Sequence, residues 1–77
     1  LRPEVAFGIV LRKFRNRIHF SQERLAAESG LDRTFISLLE RGLRQPSLTT
    51  ILFLAKAMNI SSKDILSNVE NLLNEDH

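Results

Sequence analysis

Apolar residues recur at three- and four-residue steps along most of the chain, and no stretch alternates strictly, so the pattern predicts helices and no strands. Phe7, Val10, Leu11, Phe14 and Ile18 form one stripe behind Pro3, a residue suited to a first helical position, which sets a first helix over Pro3 to Ile18. Arg12, Lys13, Arg15, Asn16 and Arg17 mostly fall off that stripe, and His19 and Phe20 make a short connection. Ser21 has the chemistry of an N-cap, and a second helix from Gln22 buries Leu25 and Ala26 before Gly30 ends it. Asp32 is expected to cap a third helix that turns Phe35, Ile36 and Leu39 inward and leaves Arg33, Thr34 and Ser37 outside. Gly42 stops that helix, and Gln45-Pro46 forces an extended or turn conformation. Leu48, Ile51, Leu52, Ala55 and Met58 predict the buried stripe of a fourth helix. Ser61 opens a fifth carrying Ile65, Leu66, Val69, Leu72 and Leu73, and the last four residues are expected to fray.

The fold class expected is therefore all-α: five helices in a single domain over residues 1–77, enough for one economical core and too short for a catalytic cleft plus a second module. The chain has no cysteine, which excludes disulfides and thiolate metal sites, and no metal or cofactor is expected. Its longest apolar run, Ile51 to Ala55, is far below the roughly 20 residues of a membrane span, so a cytoplasmic protein with no membrane partner is expected. His19 and His77 lie far apart with no carboxylate constellation or glycine-rich phosphate loop beside them, so the chain does not read as an enzyme and has no catalytic residues to name.

Charge adds a direction. Residues 1–47 hold nine Lys and Arg against five Asp and Glu, whereas residues 48–77 hold two against four. The basic half contains the segment from Ser21 to Ser47, where two short amphipathic helices meet at a turn over Ser29 to Leu31, the spacing of a helix-turn-helix at about residues 21–41. In that geometry the first helix crosses a nucleic-acid backbone and the second, from Arg33, presents its outward residues to a major groove, which makes double-stranded DNA the expected partner.

Residues 7 to 66 resemble the Cro/cI-type helix-turn-helix family, also called the xenobiotic-response-element family. The matches are Phe7-Gly8, LRKFR from Leu11 to Arg15, SQERLA from Ser21 to Ala26, the turn Ser29 to Leu31, ISLLERG from Ile36 to Gly42 and PSLTTILFLAKAMNI from Pro46 to Ile60. Each alone is weak; their joint order and spacing is specific. RTFISLLERG and PSLTT particularly resemble the small controller proteins of restriction-modification systems. The resemblance implies a lambda-repressor-like fold and a sequence-specific transcriptional regulator that binds a pseudo-palindromic operator, with RNA polymerase as a further contact.

It also implies roles. Arg33, Thr34 and Ser37 match base-contacting positions: arginine can bridge guanine O6 and N7, and threonine can bond a base edge or pack on a thymine methyl. Ser21 and Gln22 match backbone-contacting positions, and Arg15, Arg41, Arg44, Ser47 and Thr49 are further phosphate candidates, supplying affinity that falls with salt rather than sequence choice. Arg15 and Glu40 match a structural ion pair between the first and third helices, from which Arg15 would also reach a phosphate. Each role has a plainer alternative: Ser21 as a cap alone, Arg33 as a solvated arginine, Arg15 and Glu40 unpaired. The sequence departs from the family pattern at His19-Phe20, where a Gly-Leu pair is common. There Phe20 can replace the leucine in the core, but His19 lacks a glycine's freedom. Leu43 stands where a lysine is common, which removes one phosphate contact.

The fourth and fifth helices carry more apolar residues than one small core accommodates. Phe53, Ala57, Ile60, Ile65, Val69 and Leu72 are therefore expected in a homodimer interface within a dimerisation region of about residues 48–73, which would set two recognition helices about 34 Å apart. The alternative is a fifth helix that folds fully over its own core in a monomer. A second class of function, an antitoxin-like protein-interaction module with secondary DNA binding, is disfavoured by the expectation that such chains carry an additional tail or domain.

Overall fold

The computed structural model describes residues 1–75 and forms five helices: α1 (Pro3–Arg17), α2 (Gln22–Ser29), α3 (Arg33–Glu40), α4 (Leu48–Ala57) and α5 (Ser62–Glu75). Pro3 starts α1 behind an extended Arg2. The Ser21 hydroxyl accepts the Arg24 amide at 3.0 Å to cap α2, and the Ser47 hydroxyl accepts the Thr50 amide at 3.1 Å to cap α4, each satisfying one of the orphan donors of a helix start. Asp32 occupies the N-cap position of α3 with extended backbone, but its carboxylate accepts no capping hydrogen bond. Asn74 and Glu75, expected to fray, continue α5; Asp76 and His77, expected to fray with them, lie outside the described residues.

Three helices share one kind of ending. After α1, α3 and α4, a residue with positive φ (His19 at 60°, Gly42 at 73°, Asn59 at 54°) is followed by an apolar residue. That residue's amide reaches back five positions: Phe20 to the Arg15 carbonyl, Leu43 to Leu38 and Ile60 to Ala55, at 3.0–3.1 Å. This is the Schellman arrangement, which satisfies terminal carbonyls and turns the chain sharply. Gly30, at φ 75°, closes α2 with a single bond from its amide to the Ala26 carbonyl.

These turns fold the helices around one core. Helix α1 packs on α3 and α5, α2 on α3 and α4, and α4 on α5. Phe7, Val10, Leu11 and Phe14 of α1 meet Leu25, Ile36, Leu39, Leu54, Ala55, Met58, Ile65 and Val69, all buried. Gly8 lies where α1 crosses the end of α3, so close that a Cβ there would meet the Leu39 carbonyl and stand 2.7 Å from the Glu40 carbonyl oxygen.

The face of α4 differs from expectation. Leu54 is fully buried with Thr50, Ala55 and Met58, whereas Leu48 is 70% and Leu52 48% exposed. The helix is apolar nearly all round, so hydrophobic spacing alone could not phase it; the capped start at Ser47 and the turn at Asn59 fix which side faces α2 and α5. Leu66 of α5, expected in the stripe, is exposed for the same reason of excess apolar content. Among the described residues no helix is long and apolar enough to cross a membrane.

Candidate nucleic-acid interface

The short helix α3 has two distinct sides. Ile36 and Leu39 are fully buried and lock it onto the core, while Arg33 and Thr34 stand exposed on its first turn and Ser37 is half-exposed one turn on. Arg33 projects beside the start of α2, with its Nε 3.6 Å from Glu23 Oε2. The exposed Arg41, Arg44 and Thr49 follow on the loop and at the start of α4.

The orientation of α3 is held from its far end. Glu40, its last residue, has a side chain with no solvent exposure, and its carboxylate accepts Arg15 Nε at 2.6 Å, Arg15 Nη2 at 2.9 Å, Gln22 Nε2 at 3.0 Å and Arg12 Nε at 3.3 Å. Arg15 spends its remaining terminal nitrogen, Nη1, on the Phe20 carbonyl at 2.8 Å. Burial pushes the Glu40 carboxyl up, but the hydrogen bonds from Arg15 and Gln22, the Arg15 charge and the Arg12 bond outweigh it and hold the group below the ordinary glutamate value. The hydrogen bond to Glu40 raises Arg15 in turn, against the opposing effect of burial. One carboxylate thus ties α1, α2 and α3 together.

Several of the candidate residues are engaged in hydrogen bonds within the fold. The Arg15 side chain is 11% exposed and turned inward, its guanidinium shared between Glu40 and the Phe20 carbonyl. Gln22 gives one amide hydrogen to Glu40 and keeps one for a ligand. The Ser47 hydroxyl accepts the Thr50 amide and is paired with Thr50 Oγ1 at 3.0 Å. Ser21 caps α2 and retains its hydroxyl proton. Sequence reasoning missed Arg12, whose guanidinium is 55% exposed while its Nε rests on Glu40. The signal was its position three residues before Arg15, on the same face of α1. Arg24 is a second missed cation, stacked over the Phe20 ring at 4.3 Å.

The apolar surface is also redistributed. Phe53 is 49% exposed, and Ala57, Ile60 and Leu72 are half-buried against the core. Ile65 and Val69, expected at the dimer interface, lie in the chain's own core, at 0% and 8% exposure, because α5 lays this stripe on α1 and α4. Leu52 and Leu66 are exposed in their place.

A family model described as helix-turn-helix matches residues 11–65, well over half of the chain. The chain belongs to the helix-turn-helix family. Over 65 residues this family member is 45% identical to the control protein C.SmaI of Serratia marcescens, a match covering 84% of this chain and 76% of that one. The crystal structure of the restriction-modification controller protein C.AhdI from Aeromonas hydrophila superposes with a TM-score of 0.79 at 45% identity, covering 80% of this chain and 94% of the other. The controller protein C.Esp1396I, solved as a tetramer on its natural 35 base-pair operator, superposes with a TM-score of 0.84 at 27% identity over 92% of this chain and 93% of that one. This helix-turn-helix protein is a DNA-binding transcriptional regulator with the lambda-repressor-like five-helix fold.

Proposed function

We propose that the protein is a controller-type regulator that binds a pseudo-palindromic operator as a homodimer, reading bases with Arg33, Thr34 and Ser37 from the first turns of α3. The observation that carries this reading is the division of labour on α3 and around it. Glu40 accepts hydrogen bonds from both Arg15 and Gln22, while Arg33 and Thr34 stand exposed on a helix whose opposite side is locked into the core. A helix anchored in the core on one side with polar side chains on its open face is what base readout in a major groove demands. Ser21, Gln22, Arg41, Arg44, Thr49 and Ser47 supply phosphate contacts that set register, with Arg12 added from the Glu40 cluster. Phe53, Ala57, Ile60 and Leu72, with the exposed Leu52, form the two-fold interface, since burying such a surface against a second copy is the direct way to remove it from water. The place of the operator relative to the promoter decides whether the bound dimer blocks RNA polymerase or contacts it.

Selection of bound sequences from a random duplex pool at near-physiological salt, with sedimentation of the selected complex, tests the proposal. It expects a two-fold symmetric motif with half-sites about 10–10.5 base pairs apart and two chains on each duplex. An asymmetric motif occupied by one chain overturns the dimeric reading, and enrichment of no motif overturns the reading altogether.

A further inference from the structure

Glu23 stands on the first turn of α2, exposed, on a surface otherwise proposed to meet phosphates. A carboxylate there opposes DNA binding, because it is repelled by the backbone it approaches. Its Oε2 lies 3.6 Å from Arg33 Nε, with the two side chains 69% and 57% exposed. An ion pair so open to water contributes little to folding. Its consequence lies in what it does to the arginine. A guanidinium has two faces for planar recognition: the side edge that includes Nε, and the end formed by the two terminal nitrogens. A carboxylate 3.6 Å from Nε, at ion-pair rather than hydrogen-bond distance, attracts the first and leaves the second for the paired acceptors of a guanine. The same charge also disfavours a swing of Arg33 onto a nearby phosphate, the competing site for any arginine beside DNA.

We propose that Glu23 is a positioning residue for base readout: by holding Arg33 at Nε it gives up overall affinity for DNA and raises the preference of Arg33 for guanine over the other bases. The inference rests on the proposed role of Arg33, and Glu23 itself touches no base.

The test is a cycle of variants, Glu23→Gln, Arg33→Ala and the two combined, in the full chain. Each is titrated against the selected operator, against the same duplex with the guanine read by Arg33 replaced, and against an unrelated duplex. Because the pair is exposed, all three variants are expected to fold, and thermal unfolding checks this. Glu23→Gln is expected to tighten binding to the unrelated duplex, most at low salt, and to lower the guanine preference about two- to fivefold, the scale of an exposed ion pair. In the Arg33→Ala background Glu23→Gln leaves the base ratio unchanged. Asp32→Asn removes an equal charge beside Arg33 and is expected to leave the ratio intact, which separates pairing from net charge. An unchanged ratio in Glu23→Gln, an equal loss in both Arg33 backgrounds or an equal loss in Asp32→Asn overturns the inference while the role of Arg33 stands. If Arg33→Ala alone keeps every base preference, the proposed role of Arg33 and this inference fall together.

Discussion

Arg15 grips both carboxylate oxygens of Glu40, at 2.6 and 2.9 Å, and so fastens the middle of α1 to the last residue of α3. Both side chains are largely withdrawn from water, at 11% and 0% exposure, so neither can be left alone without a buried charge losing its partner. Glu40→Ala is expected to lose about 3–5 kcal/mol of unfolding free energy, a large share of what a chain this size possesses. Chemical denaturation measures it. A loss comparable to that of an exposed pair would mean that the cluster does not hold α3.

The same carboxylate gives the fold a defined response to acid. Because Glu40 titrates lower in the folded protein than in the unfolded chain, whose glutamates titrate near 4.5, its contribution is fully present above that value. It is lost as pH falls through the lower, folded value, where the folded protein takes up the proton that the unfolded chain already holds. The stability gap between the wild type and Glu40→Gln is therefore expected to be constant near neutrality and to shrink below about pH 4.5. Denaturation curves across pH for both proteins check the sign; a gap that widens in acid contradicts it.

Gly8 is the point of closest approach between α1 and α3. Alanine is intrinsically better than glycine in a helix by about 0.8–1.0 kcal/mol, yet a methyl here would press on the Leu39 and Glu40 carbonyls, which are backbone and cannot swing aside. Overpacking of this kind typically costs about 1–3 kcal/mol, so Gly8→Ala is expected to destabilise despite its propensity. Relief by displacement of α3 would also move Arg33, so DNA binding should weaken by more than the unfolded fraction explains. Thermal unfolding and operator titration of the one variant test both halves.

His19 adopts φ 60°, where a side chain is strained by about 1–2 kcal/mol. Glycine removes that strain but loses about 0.5–1 kcal/mol to its greater freedom in the unfolded chain. His19→Gly is thus expected to raise stability by about 0.5–1 kcal/mol, seen as a rise in Tm of about 2–8 °C. A fall in Tm would show that the imidazole makes a compensating contribution.

The outcome for α1, α2 and α3 against α4 shows what a sequence carries. Phe7, Val10, Leu11 and Phe14 form one narrow stripe with charge opposite, and all four are buried as the spacing requires. Leu48, Leu52 and Phe53 leave α4 with little polar surface to orient it, so Leu48, expected in the buried stripe, is exposed, and Leu54, not counted in that stripe, is buried. Helix endings were legible where glycine marks them, at Gly30 and Gly42, and less so at His19 and Asn59, where the following Phe20 and Ile60 were the remaining signal of a left-handed turn. At the candidate interface, the outward setting of Arg33 and Thr34 followed from helical phase alone. The inward turn of Arg15 and the attachment of Arg12 to Glu40 depend on hydrogen bonds to a residue at the end of α3, far along the chain, which no local pattern encodes, whereas the Ser47 hydroxyl is engaged by Thr50 only three positions on.

The most direct test of the account compares selections from a random duplex pool by the wild type, Arg33→Ala and Arg41→Ala. Arg33→Ala is expected to lose one guanine preference in each half-site, a discrimination of about 1–3 kcal/mol, with the rest of the motif kept. Arg41→Ala is expected to keep the whole motif and bind it more weakly, with a shallower dependence on salt. An Arg33→Ala protein that selects the wild-type motif unchanged would contradict the assignment of base readout to the start of α3.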